Sequence, residues 1–248
     1  STRSKVYFAP NVAWRDLDLR GELEARIDLP VVIENDANAA AWGEFRFGAG
    51  SEVDHLVFVT LGTGVGGGVI SHGVLLRGAQ GSGCELGHVT IQATGPRCAC
   101  GNRGCLEALA SGTAISRCAR ELASEKPNSV LGRLAAERKI LGEDVTRLAC
   151  EGDELALSVL EEAGRWLGIG LAGFVNIFNP EVVAVGGGVV AAGELILKAA
   201  REEVYLRARP PSRDLAEIKE ATLGPESGVL GAAALARDPS SGEYVLGS

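Results

Sequence analysis

Leu56-Val57-Phe58-Val59-Thr60-Leu61, followed by Gly62-Thr63-Gly64-Val65-Gly66-Gly67-Gly68 and then Val69-Ile70-Ser71, has the pattern of a strand, a glycine turn and a returning strand. The run is apolar and β-branched enough to be a buried strand. Glycines in such a turn let backbone N–H groups approach a ligand closely, as phosphate-binding loops do. The stretch has neither the Lys of a Walker motif nor the helix start of a dinucleotide fold, so a plain β-hairpin remains compatible with it.

Working outward, Leu29-Pro30-Val31-Val32-Ile33 reads as a short buried strand, joined through Glu34-Asn35-Asp36 to a helix over Asp36–Phe47. That helix places apolar or small residues at Ala37, Ala40, Ala41 and Phe45, with Asn35 or Asp36 suited to its N-cap. Downstream, a helical pattern extends from Leu106 to about Phe178, longest and most apolar over Leu155–Phe178. Val182–Val185 predicts another buried strand, followed by Gly186-Gly187-Gly188 and a helix from about Glu194. Ile218–Leu223 predicts a final strand, Gly228–Ala236 a small-residue helix, and Asp238–Ser248 a loose tail. Strands alternating with helices indicate an α/β domain.

The composition narrows the function. A net charge of −8 disfavours nucleic acid as a partner, since phosphate binding draws on clustered Lys and Arg. No run approaches the length of a spanning helix, and Ser1-Thr2-Arg3-Ser4-Lys5 lacks the apolar stretch of a signal peptide, so a cytoplasmic location is expected. In a reducing compartment, 6 Cys are more naturally ligands or buried thiols than disulfides.

Three constellations carry chemistry. Asn35-Asp36 stands at a strand-to-helix junction, where open α/β sheets place ligands and where a carboxylate can take a proton from a hydroxyl; a plain helix cap is the alternative. His88 with Cys98, Cys100 and Cys105 supplies a complete tetrahedral donor set for structural zinc, the alternative being reduced thiols beside an unrelated His. Cys84, Cys118 and Cys150 lie outside that set and read as small buried hydrophobes. Glu85 and Glu107 bracket the proposed zinc loop, where they can accept from vicinal sugar hydroxyls or be solvated surface acids.

Taken together, these segments resemble the ROK family of repressors and sugar kinases from about Val6 to Ala236. Glu34-Asn35-Asp36-Ala37-Asn38-Ala39-Ala40-Ala41-Trp42-Gly43-Glu44 is similar to the family's sugar-site segment in its glucokinase form. Glu85-Leu86-Gly87-His88, followed by Cys98-Ala99-Cys100-Gly101-Asn102-Arg103-Gly104-Cys105-Leu106-Glu107, is similar to its zinc signature. The resemblance implies an actin-like, ribonuclease H-like ATPase fold, with residues 1–35 a remnant of the small lobe and hinge. Residues 36–225 would be the large sugar- and nucleotide-binding lobe, with its zinc loop at 85–107, and 226–248 the C-terminal helix and tail.

It further implies glucose phosphorylation by ATP with Mg²⁺, Asp36 being the base and Asn35, Asp36, Glu85, His88 and Glu107 holding the sugar. Gly62, Thr63, Gly64, Gly66 and Gly67 would face the ATP phosphates, and Gly186, Gly187 and Gly188 the adenosine. His88 would serve zinc with one ring nitrogen and a sugar hydroxyl with the other. A homodimer or homotetramer is expected. The family's Asp-x-Gly-Gly-Thr-Lys phosphate turn has no counterpart here, which leads to the expectation that the chain is a fragment of an active kinase, binding glucose weakly and transferring phosphate poorly by itself. The rivals are the sugar-sensing core of a ROK repressor and a ROK kinase for another hexose.

Overall fold

Strand β3 (Leu56–Leu61) sends alternate side chains to opposite faces, and both faces are buried. Val57, Val59 and Leu61 enter the larger apolar cluster, while Leu56 and Phe58 enter a second cluster on the other side. A strand covered twice must read as an unbroken apolar run, which is why this stretch is so legible in the sequence.

The computed structural model describes residues 5–9 and 14–237, so the expected loose tail lies outside the described residues. In chain order, β1 (Lys5–Ala9) and β2 (Trp14–Asp18) form an antiparallel ladder and α1 (Leu19–Ile27) follows. Then come α2 (Asp36–Phe47), β3, β4 (Val65–Ser71), β5 (Val74–Leu75) and a 3-10 turn at Leu86–His88. A helical block holds α3 (Leu106–Ala110), α4 (Gly112–Glu125), α5 (Val130–Glu137), α6 (Gly142–Cys150) and α7 (Glu154–Phe178). The chain continues through β6 (Val182–Gly186), α8 (Glu194–Arg207), α9 (Ser212–Leu215), β7 (Glu217–Glu220) and α10 (Ser227–Arg237).

The main sheet has the order β5-β4-β3-β6-β7, antiparallel from β5 to β3 and parallel from β3 to β7. One face packs against α7, α8 and the shorter helices, with Leu160, Leu167, Leu171 and Ile196 fully buried. The other face packs against Ala39, Ala40, Ala41 and Trp42 of α2 and Leu235 of α10. The small-residue character of α10 is a packing requirement: a Cβ on Gly231 would collide with the Ala39 carbonyl, and one on Gly43 with the Ser227 carbonyl. Glu44, fully buried, joins the end of α2 to the turn after β7. It accepts N–H groups of Ala49 at 2.9 Å, Thr222 at 3.1 Å and Leu223 at 2.8 Å, together with the Thr222 hydroxyl at 3.3 Å.

Four expectations need correction. Residues 29–33 form no strand: the Val31 N–H is taken by Glu24 at 3.0 Å and its carbonyl by Arg20 at 2.7 Å, so helix α1 engages this segment. The returning strand begins at Val65 and not Val69, which puts Gly66, Gly67 and Gly68 inside β4 opposite Thr60, Val59 and Phe58. The last strand stops at Glu220 because Ala221 to Leu223 turn to meet Glu44. Cys150 ends α6 in an exposed position, and Cys84 and Cys118 are only partly buried. The strands β1 and β2 and helix α1 were not read from the sequence at all.

Candidate active site

β3 and β6 lie parallel with Thr60 beside Gly186, so both carboxyl ends open onto the same edge of the sheet, where α/β folds place ligands. The chain leaves β3 through Gly62–Gly64 and leaves β6 through Gly187, whose φ of 92° and contact with the Leu61 backbone exclude a side chain. The structure shows the cap reading of Asn35-Asp36 and sets Asp36 at a cleft. Asn35 caps α2, its Oδ1 accepting from Ala37 N at 2.9 Å and Asn38 N at 3.0 Å, which leaves the amide NH₂ outside the cap. Asp36 opens the first turn and lines a cleft of about 920 Å³. His88, Glu107, Thr60, Gly62, Gly64, Gly66 and Gly186–Gly188 also line this cleft.

His88, Cys98, Cys100 and Cys105 present ligand atoms all within 4.8 Å of one another. Cys100 and Cys105 sulfurs stand 3.7 Å apart, and Cys98 Sγ is 3.8 Å from His88 Nδ1. A tetrahedron with Zn–S bonds of about 2.3 Å has sulfur–sulfur edges near 3.8 Å, so the spacing suits this metal. Without a cation, burial pushes the Cys98 thiol up to about 12 and raises that of Cys105, whereas the Asn102 backbone N–H lowers that of Cys100. Glu107 connects the cluster to the glycine turn: Cys98 Sγ reaches Oε1 at 3.4 Å, and Oε2 accepts Val65 N at 3.1 Å. Gly64 has no Cβ because Glu107 occupies that space.

The residues expected at the site divide as follows. Asp36, His88 and Glu107 share the cleft, whereas Asn35 and the exposed Glu85 stand beside it without lining it. Gly67 does not line it either, since Leu86 and the Phe58 carbonyl press against its position in β4. Thr63 faces a second cavity.

That cavity, of about 720 Å³, adjoins the first across Gly62 and Gly188, which line both. Thr113, Ser116, Arg120, Lys139, Gly142, Thr146 and Arg147 contribute to its walls. Gly112 N donates to Gly62 O at 2.8 Å and Thr113 Oγ1 to Thr63 O at 2.7 Å, so the start of α4 is clasped to the glycine turn. These residues were missed in the sequence. The available signal was glycine at the first position of both α4 and α6, where a Cβ on Gly142 would crowd the Gly112 carbonyl.

Two cavities meeting at glycine turns beyond a parallel strand pair, in a mixed sheet covered on both faces, define an α/β protein of the actin-like ATPase fold. The chain belongs to the ROK family, whose model matches residues 1–239. A glucokinase from Streptomyces coelicolor is 42% identical over 243 residues, covering 96% of this chain and 76% of its own. The ROK family glucokinase from Streptomyces griseus, solved in complex with glucose and AMPPNP, superposes with a TM-score of 0.85 at 41% identity, covering 95% of this chain and 77% of its own. The xylose repressor of Bacillus subtilis is 36% identical over 94% of this chain but only 57% of its own length.

Proposed function

We propose that the protein transfers the γ-phosphoryl group of ATP to the 6-hydroxyl of glucose. The observation that carries this reading is the junction of the two cavities: an acid-lined cleft meets a second, nucleotide-sized cavity at Gly62 and Gly188. The Streptomyces griseus relative, which holds glucose and AMPPNP, supports assigning one cavity to each substrate.

In this mechanism Asp36 accepts the proton of the 6-hydroxyl as its oxygen attacks the γ-phosphorus in line. Asn35, Glu85, His88 and Glu107 bind and orient the remaining hydroxyls. Backbone donors of the Gly62–Gly64 turn and Gly66 face the phosphates where the cavities meet; of the three glycines expected by the adenosine, only Gly188 reaches the second cavity, and Gly186 and Gly187 line the cleft alone. Mg²⁺, carried on the triphosphate, would supply neutralisation of phosphate charge. A structural zinc fits His88, Cys98, Cys100 and Cys105, the three thiolates and one imidazole leaving no open position for catalytic water. Its bearing on the sugar is through Glu107 and His88, both fixed by the same cluster.

A homo-oligomer completes the reading. Ile177, Tyr205, Leu206 and Leu215 expose apolar surface near the ends of α7 and α8 and on α9, and sedimentation velocity tests whether copies associate. The second functional reading, the sensor core of a sugar-responsive repressor, is favoured by the xylose repressor likeness. A coupled phosphorylation assay on the complete gene product, with a panel of hexoses and with ATP or polyphosphate as donor, separates these readings. Rapid turnover of glucose with ATP supports the kinase, and sugar binding with no turnover on any donor supports the sensor.

A further inference from the structure

Glu34 and Arg77 form an ion pair for which the chemistry above has no use. Arg77 Nε donates to Glu34 Oε2 at 2.5 Å, and the two side chains are only 6% and 11% exposed. The other carboxylate oxygen of Glu34 accepts the backbone N–H of Asn35 and the Nδ2 of buried Asn38, both at 3.0 Å. Three donors therefore fix Glu34, and two of them belong to residues on either side of Asp36. Arg77 itself follows β5, and its carbonyl accepts Gly83 N at 2.9 Å, closing the loop that leads to Glu85 and His88. One buried contact thus joins the segment bearing the proposed base to the segment bearing the opposite wall of the cleft.

Burying two charges costs desolvation that their attraction often fails to recover, and an apolar pair of similar volume is commonly as stable or more so. An apolar pair cannot, however, aim the Asn35 N–H and the Asn38 amide at fixed acceptors. We propose that Arg77 is a positioning residue of the sugar site: through Glu34 it sets the Asn35-Asp36 junction against the His88 loop before the sugar enters. This rests on the sugar-kinase reading. Displacement of reacting groups by about 1 Å is enough to cost a site much of its efficiency, so the pair bears on sugar affinity more than on folding.

The test is calorimetric titration of the chain with glucose and separately with AMPPNP, alongside thermal melting, for wild type, Arg77→Lys, Arg77→Met and the double variant Arg77→Met/Glu34→Leu. The expected result is that Arg77→Met weakens glucose binding by about tenfold or more while AMPPNP binding is unchanged. Arg77→Lys, which keeps the charge and folds even if the Met variant does not, is expected to recover part of the glucose affinity and not all. The double variant, which leaves no unpaired carboxylate, is expected to melt above Arg77→Met but below wild type, because the Asn35 N–H and the Asn38 amide lose their acceptor, and not to regain glucose affinity. Recovery of both together, or wild-type glucose affinity in Arg77→Lys, would show a purely structural pair and overturn the inference. A wild-type chain that binds AMPPNP but no glucose overturns the sugar-kinase reading itself, and the inference with it.

Discussion

One carboxylate oxygen of Glu107 faces the Cys98 thiol and the other holds the Val65 N–H, so a single residue transmits the order of the cysteine loop to the glycine turn. Elemental analysis is expected to find about one zinc per chain, because the four donors close a tetrahedron. Cys98→Ser is expected to lose that zinc and to weaken glucose binding, although Cys98 does not line the cleft; retention of metal and sugar affinity would rule the ligand set out. The cluster was legible in the sequence because all four donors sit in one short loop, where residue type and spacing suffice. The Arg77–Glu34 pair was not, for its partners are 43 residues apart and no periodicity links a loop arginine to a junction glutamate.

Among the elements, β3, β6, α2 and α7 follow directly from apolar pattern, because each buries a continuous face or two. Residues 29–33 carry the same pattern without becoming a strand, since side chains of α1 take the Val31 groups. The anchoring of α2 was equally invisible: Glu44 looks like an ordinary helix-surface acid until the turn after β7 closes over it. Glu44→Leu would leave three partly buried N–H groups without this acceptor and is expected to lower stability by about 1–3 kcal/mol, measured as a shift in urea midpoint at constant slope.

At the start of α6 the Arg138 guanidinium holds the Asp144 carboxyl below the usual carboxylate range. A depressed folded value means that the stabilisation is fully present above the ordinary Asp value of about 3.9 and is lost as pH falls through the folded one. The stability gap between wild type and Asp144→Asn should therefore be greatest near neutral pH and close on acidification. A gap independent of pH would remove this pair from the account of α6.

Across the whole molecule, the sheet sets two cavities on either side of Gly62 and Gly188, and a Cβ at either glycine would meet open space. Gly188→Leu is accordingly expected to keep stability within about 0.5 kcal/mol while filling the passage and weakening AMPPNP binding, as read by melting and titration. The family motifs made the cleft of Asp36, His88 and Glu107 foreseeable, but the second cavity depends on α4 and α6 converging on the turn, which only the packed structure reveals. The most direct test of the proposed reaction is the rate of glucose 6-phosphate formation from glucose and Mg-ATP by the complete gene product and by its Asp36→Asn variant. With Asp36 as the base, the rate should fall ~10²–10⁴-fold while glucose affinity stays within about tenfold. Formation of glucose 6-phosphate at the wild-type rate by the variant, or none by the wild type, would contradict it.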